Sequence, residues 1–391
     1  MSPFDSPALL RSDRPDLEVR RLLWQLALWP RRRRGAHALA DVRRDWQLAV
    51  KAFGSREPVV SVDVRTIDGP GGPLALRIYT PATTGSPRPV LAWFHGGGFV
   101  AGDLYTAGGM CRALANRSGA IVVAAGYRRA PEHPLEAARE DCLAALAWLA
   151  GHAGEIGGDR RRLAVGGDSA GGALAAGAAH EWMRRGGAAL RAQLLVYPAT
   201  DLDGDLPSLR ENARGYLLTR ERIDWIRGHL SRVSDLGAPA ASPLDIPDLR
   251  GVAPAVVVTA GFDPLRDEGI AYVRRLREAG VPVELLHYPG QIHGFMSFDR
   301  VLVGARDALD RVGSLLAGAF RDGLPGSGVE EISVPWPRGW EGMPWLHPGQ
   351  RWRETRVACM VARDQVGRCR GVLEGIAKRW PRVSGGSPPA D

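Results

Sequence analysis

Long apolar runs are scarce in this 391-residue chain, and that scarcity limits where it can work. The apolar segment from Leu22 to Trp29 is far shorter than the ~20 residues a helix needs to cross a bilayer, so stable membrane insertion is not expected. The start, Met-Ser-Pro-Phe-Asp-Ser, has no basic region followed by an apolar stretch, which argues against a secretory signal. Cysteine is rare as well. Cys111, Cys142, Cys359 and Cys369 fit neither a zinc spacing nor a dense disulfide framework, and they read as reduced thiols in a cytoplasm. No Lys-Ser/Thr follows a glycine run, no G-x-G-x-x-G opens a first βα turn and no metal-ligand cluster appears, so no nucleotide, metal or other cofactor is expected.

The formal charge of +8 is absent from the middle of the chain: residues 1–60 carry 12 Arg/Lys against 7 Asp/Glu, 61–323 carry 29 against 29, and 324–391 carry 10 against 7. A groove that tracks phosphates needs clustered cations on the main domain, so no nucleic-acid partner is expected. Arg31 to Arg34 read as a solvated charge run closing an amphipathic helix, with contact to an acidic membrane surface the lesser alternative. No internal repeat is visible, and a homodimer is left open.

Apolar positions at helical spacing in 17–29 and 38–52 predict two helices, read as an N-terminal cap segment over 1–55. From residue 59 short β-branched runs alternate with helical stretches. Val59–Ile67, Leu74–Tyr79, Val90–Phe94, Ile121–Ala125, Leu163–Val165, Gln193–Tyr197, Ala255–Ala260 and Val283–Tyr288 are predicted strands, with helices near 107–118, 137–151, 170–186 and 267–279. This rhythm predicts an α/β fold: a mostly parallel sheet over 56–322, flanked by helices and opened by an antiparallel pair. A Pro-flanked stretch near 204–250, helical around 220–233, interrupts it and is a second candidate piece of the cap. Beyond about 323 the periodicity stops. The segment 323–391 is expected to be a poorly ordered extension without its own core, and its Trp336, Trp340, Trp345, Trp352 and Trp380 mark either a docking surface or nothing functional.

Gly167-Asp168-Ser169-Ala170-Gly171-Gly172 is a G-x-S-x-G sequence set between a predicted strand and a predicted helix. About 0.3 such matches arise by chance in this composition, so placement carries the signal. A serine on a sharp strand-to-helix turn needs glycines on both sides and gains the positive end of the helix dipole. His95-Gly96-Gly97-Gly98 follows the strand Val90–Phe94, and only about 0.02 such runs are expected by chance. Side-chain-free residues let backbone N–H groups turn toward a substrate oxygen, and Gly96, Gly97 and Ala170 are the expected oxyanion donors.

A serine hydroxyl needs a base, and the base needs an acid to orient it. His293 follows the last predicted strand, whereas His287 lies inside it. Asp263 follows Ala255–Ala260 through Gly261-Phe262, while Asp267 reads as a charge at the start of the next helix. The order Ser169, Asp263, His293 suits an α/β hydrolase. His133, between two prolines, reads as structural, and Glu140 with Asp141 as paired surface carboxylates. A non-catalytic receptor on this scaffold would be expected to lack one of the three residues. An amidase would not, and ester and amide leaving groups stay unseparated by sequence.

Taken together, H-G-G-G-F, G-D-S-A-G-G, Tyr127-Arg128-Arg129-Ala130-Pro131-Glu132-His133-Pro134, Asp263-Pro264-Leu265-Arg266-Asp267-Glu268 and His293-Gly294-Phe295 resemble the hormone-sensitive-lipase-like family of bacterial esterases over roughly 40–320. The resemblance implies an α/β-hydrolase fold with a helical cap, and a serine carboxylesterase acting on small ester substrates with short to medium acyl chains. It also implies that Ser169, Asp263 and His293 hold the catalytic positions, with Gly96, Gly97 and Ala170 as oxyanion donors. The tail has no counterpart in that family.

Overall fold

The computed structural model describes residues 11–27, 38–83, 85–237, 241–326 and 328–333. Two helices, α1 (Leu17–Ala27) and α2 (Leu39–Phe53), precede β1 (Ser61–Gly69), β2 (Gly72–Thr80) and β3 (Arg88–Phe94). Then come α3 (Gly108–Ser118), β4 (Ile121–Ala125), α4 (Leu135–His152), β5 (Gly158–Asp168), α5 (Ala170–Arg184) and β6 (Gln193–Val196). After the insertion helices α6 (Pro207–Glu211) and α7 (Arg220–Leu230), the alternation resumes with β7 (Ala255–Phe262), α8 (Arg266–Glu278), β8 (Val283–Ile292), α9 (Val303–Arg321) and β9 (Val329–Glu331).

Among the described residues the strands form one nine-stranded sheet in the order β1-β2-β4-β3-β5-β6-β7-β8-β9. β1 pairs antiparallel with β2, β2 antiparallel with β4, and every later pair is parallel. Both faces are covered, which is why the central strands are continuous apolar runs. Val90, Ala92 and Phe94 join a core with Leu146 of α4, Leu174 of α5 and Tyr272 of α8. Leu91 and Trp93 point the opposite way and are equally buried, on the side covered by α3 packed against α9. Each such fully buried large side chain contributes about 1.5–3 kcal/mol.

Two features depart from the sequence expectation. Val329–Glu331, beyond the boundary expected at 323, form β9 and pair with Leu285–His287 of β8. Helix α1, expected as part of a cap, is tied to the sheet itself: Asp16 N–H donates to the Gly290 carbonyl, and Glu18 accepts the Val303 and Gly304 N–H groups at the start of α9. A carboxylate there satisfies free donors and faces the positive end of α9. The arginine run Arg31 to Arg34, Cys359, Cys369 and the five tail tryptophans lie outside the described residues. Among the described residues no helix is long and apolar enough to cross a membrane.

Candidate active site

Four parallel strands, with β6 between the second and third, end at the same edge of the sheet, and the residue after each end is a polar side chain named above. β3 ends at Phe94 before His95, β5 at Asp168 before Ser169, β7 at Phe262 before Asp263, and β8 at Ile292 before His293. Parallel strands bring their carboxyl ends to the same edge, where ligands collect in open α/β sheets. Register does the finer placement. Ala260 pairs with Tyr288 but Phe262 pairs with Ile292, so an irregularity at Gly261 and Pro289-Gly290 brings Asp263 level with His293.

Ser169 occupies the strand-to-helix turn with φ 55° and ψ −119°, a backbone region that L-residues avoid at a cost of order 1–3 kcal/mol. Its surroundings hold it there. The Ser169 N–H donates to the Val196 carbonyl at 2.8 Å, and its own carbonyl accepts N–H groups from Gly172, Ala173 and Ala199. The flanking glycines are required by contact: a Cβ on Gly167 or on Gly171 would run into the Phe94 carbonyl oxygen, and one on Gly172 would lie 2.9 Å from Pro198. The G-x-S-x-G spacing is therefore the consequence of packing helix α5 hard against β3 and β5.

Ser169 Oγ lies 2.9 Å from His293 Nε2, and His293 Nδ1 lies 2.8 Å from Asp263 Oδ2. The second oxygen of Asp263 accepts the Leu265 N–H at 2.8 Å, and the carboxyl group is wholly buried. A carboxylate can only accept, so the imidazole proton belongs on Nδ1 and the lone pair of Nε2 faces the serine hydroxyl. The backbone carrying Asp263 is latched from the insertion. Asn212 donates its amide to the Gly261 and Asp263 carbonyls, and Ser208 Oγ donates to the Pro264 carbonyl. Asp267 lies in the first turn of α8 and accepts the Ser208 N–H, away from His293. His287 is buried within β8 against Thr259.

The glycine loop corrects one assignment. Gly96 N–H donates to Asp168 Oδ1 at 2.9 Å, so it is not available to a substrate oxygen. Among the described residues the N–H groups of Gly97, Gly98 and Ala170 have no such acceptor. Gly97 (φ 128°) and Gly98 (φ 63°) take backbone conformations that disfavour any other residue. Gly97 and Ala170 remain candidate donors, and Gly98 replaces Gly96 as the third.

Several residues that shape the site carried no site assignment in the sequence. His95 stacks on Tyr127 at 4.3 Å, and the Tyr127 hydroxyl donates to the His95 carbonyl at 2.6 Å. Burial lowers the His95 pKa to about 4, which keeps the ring neutral, and its Nδ1 lies 2.9 Å from the Gly96 carbonyl. Arg43 of α2 donates to the Val100 carbonyl at 2.8 Å and pairs with Glu132, while Arg129 donates to the Gly102 carbonyl. Thus the Tyr-Arg-Arg-Ala-Pro-Glu motif buttresses the glycine loop. His133 is exposed in the same turn, and Asp141 is buried against Arg128 instead of lying on the surface with Glu140. Apolar side chains approach from the other side. The position of a Cβ on Gly98 is 2.5 Å from Ile226 of α7, and that on Gly294 is 3.5 Å from Leu217 and 3.8 Å from Trp46 of α2. Among the described residues no group of three His, Cys, Asp or Glu side chains is arranged to hold a metal ion.

With this geometry in hand, comparison with known proteins decides the family. Residues 91–297 match the model of an α/β-hydrolase-fold family. Esterase LipI of Mycobacterium tuberculosis is 44% identical over 262 residues, which span 65% of this chain and 81% of that protein. The chain belongs to the hormone-sensitive-lipase-like family of bacterial esterases. This family member is also similar to an ethyl acetate hydrolase of Pseudomonas putida, 37% identical over 70% of this chain and 88% of that one. Among solved structures, an esterase of Pyrobaculum calidifontis superposes with a TM-score of 0.72 at 37% identity, covering 78% of this chain and 98% of its own. An ester hydrolase from the metagenome of Lake Arreo, solved with a bipyridine phosphonate derivative, gives 0.74 at 37% identity over 78% and 99%.

Proposed function

We propose that this protein is a serine carboxylesterase that hydrolyses short- to medium-chain acyl esters through an acyl-enzyme intermediate. The observation that carries the reading is the unbroken chain Ser169 Oγ, His293 Nε2, His293 Nδ1, Asp263 Oδ2, with links of 2.9 and 2.8 Å, beside backbone donors that have no other acceptor. Ser169 Oγ attacks the ester carbonyl carbon while His293 Nε2 takes the hydroxyl proton. The carbonyl electrons move onto oxygen, which Gly97, Gly98 and Ala170 N–H groups stabilise. Collapse of that intermediate breaks the bond to the alcohol oxygen, and the alcohol leaves with the proton from His293. Water, deprotonated by the same imidazole, then attacks the acyl carbonyl carbon; the bond to Ser169 Oγ breaks, His293 returns the proton to Ser169, and the carboxylic acid leaves.

Trp46, Leu217 and Ile226 close around these loops with apolar surface, which suits an acyl chain better than a charged or peptide-like group. Relatives named esterase LipI and ethyl acetate hydrolase point the same way. The buried, unpaired thiols of Cys111 and Cys142 fit a reducing cytoplasm. A panel of p-nitrophenyl esters with the matched anilides tests the substrate class. Acetate, butyrate and hexanoate esters are expected to be cleaved readily and palmitate poorly, with each anilide at least ~10²-fold slower. Faster cleavage of the anilide would assign the site to an amidase instead.

A further inference from the structure

Asp168 is the last residue of the nucleophile strand, and the reaction described above gives it no task. Its carboxyl group is buried, 6% exposed, in a position where an uncharged residue would avoid the desolvation cost. Burial raises its pKa to about 6, although the Gly96 N–H and the nearby His293 both favour the ionised form. The contact that accompanies this cost is specific. Asp168 Oδ1 accepts the Gly96 N–H at 2.9 Å across 72 residues of sequence. The approach is so close that a Cβ on Gly96 would strike Asp168 Oδ2 and lie 2.9 Å from the Asp168 carbonyl oxygen. Glycine at 96 is therefore needed for this close approach.

The other bonds of the loop set its shape without relating it to Ser169. The Gly97 carbonyl accepts the Val100 and Ala101 N–H groups, and the Gly96 carbonyl faces His95 Nδ1, all within the loop. Tyr127 ties the His95 carbonyl to the segment after β4. Asp168 ties the loop to the nucleophile turn, because its neighbour in sequence is Ser169. We infer that Asp168 is a positioning residue: its carboxyl group fixes the peptide of Gly96 and so sets the Gly97 and Gly98 donors at the distance from Ser169 that an oxyanion requires. The inference rests on the serine-esterase reading. A displacement of oxyanion donors by a fraction of an ångström is felt mainly in the transition state, where charge on the oxygen is greatest.

The test compares Asp168→Ala, which removes the acceptor, with Asp168→Asn, whose amide oxygen can still accept the Gly96 N–H. On p-nitrophenyl butyrate Asp168→Ala is expected to lose ~10²-fold in kcat with KM within about threefold, and Asp168→Asn to recover to within about tenfold of wild type. The loss should shrink when the carbonyl oxygen is replaced by sulfur in the matching thionoester, because sulfur accepts hydrogen bonds poorly. Hydrogen exchange in the peptide 90–101 should accelerate in Asp168→Ala and not in Asp168→Asn. Thermal unfolding reports whether the variants fold. Should the alanine variant fail to fold, Asp168→Ser, whose hydroxyl is too short to reach Gly96, takes its place with the same expectations. Unchanged kcat in the variant lacking the acceptor, or equal losses in it and in Asp168→Asn on both substrates, would overturn the inference. Labelling of the wild-type protein by a fluorophosphonate separates the two levels: a labelled Ser169 with an indifferent Asp168 sinks only this inference, whereas an unlabelled Ser169 sinks the esterase reading beneath it.

Discussion

Ser169→Ala is expected to lower kcat/KM on p-nitrophenyl butyrate by on the order of 10⁵-fold or more, with a Tm within about 3 °C of wild type. The size follows from the loss of the covalent route: without the hydroxyl, no acyl-enzyme forms, and only the oxyanion donors and substrate binding remain to assist water. The small effect on folding follows from what holds the turn. The bonds from the Ser169 N–H to Val196 and from Gly172, Ala173 and Ala199 to the Ser169 carbonyl are all backbone bonds, and alanine keeps every one. The side chain contributes its 2.9 Å contact to His293 and little else to the fold. Steady-state kinetics beside a thermal melt check both halves. Turnover within tenfold of wild type would remove Ser169 from the mechanism.

Asp263→Asn tests the next link, and the expected loss is ~10⁴-fold in kcat. Both carboxylate oxygens are engaged in fixed directions, Oδ1 by the Leu265 N–H and Oδ2 by His293 Nδ1. An asparagine keeps the first bond only by placing its oxygen toward Leu265, which leaves its NH₂ group facing His293. That donor demands a lone pair on Nδ1 and shifts the imidazole proton to Nε2, where it blocks removal of the Ser169 proton. The volume is nearly unchanged and Asn212 still holds the Asp263 carbonyl, so the variant should fold. A loss of that size in kcat with nearly wild-type KM would fit the tautomer shift; a loss below tenfold would show that another group orients the base.

Much of this site is legible in the amino-acid sequence, and the reason is topological. In a parallel sheet the chemistry gathers where strands end, so His293 and Asp263 stand out as the polar residues just past apolar β-branched runs. Strand lengths were harder to read. β5, expected over Leu163–Val165, runs from Gly158 to Asp168: Gly158 pairs with Arg88, and Gly166 and Gly167 pair with Leu194 and with Phe94 despite a weak strand propensity. β8 likewise continues through Pro289-Gly290 to Ile292. The Gly96 assignment failed for a different reason: the acceptor of its N–H is a side chain 72 residues away, and no local pattern encodes that pairing. Asn212 and Ser208 lie in the insertion ahead of its helical stretch, so nothing in the sequence links them to the loop of Asp263. The glycine runs were legible as close approaches of backbone. Which backbone approaches which was not.

The central claim is that Ser169 is an activated nucleophile, and one measurement addresses it directly. A fluorophosphonate probe reacts with a serine hydroxyl only when a neighbouring base withdraws its proton and donors accept the developing charge on the phosphoryl oxygen. The native protein should be labelled once, and peptide mass spectrometry should place the adduct on Ser169 within Leu163–Arg184, with labelling lost in Ser169→Ala. Absence of an adduct on the native protein, or an adduct on a different residue while Ser169 stays unmodified, would contradict the account.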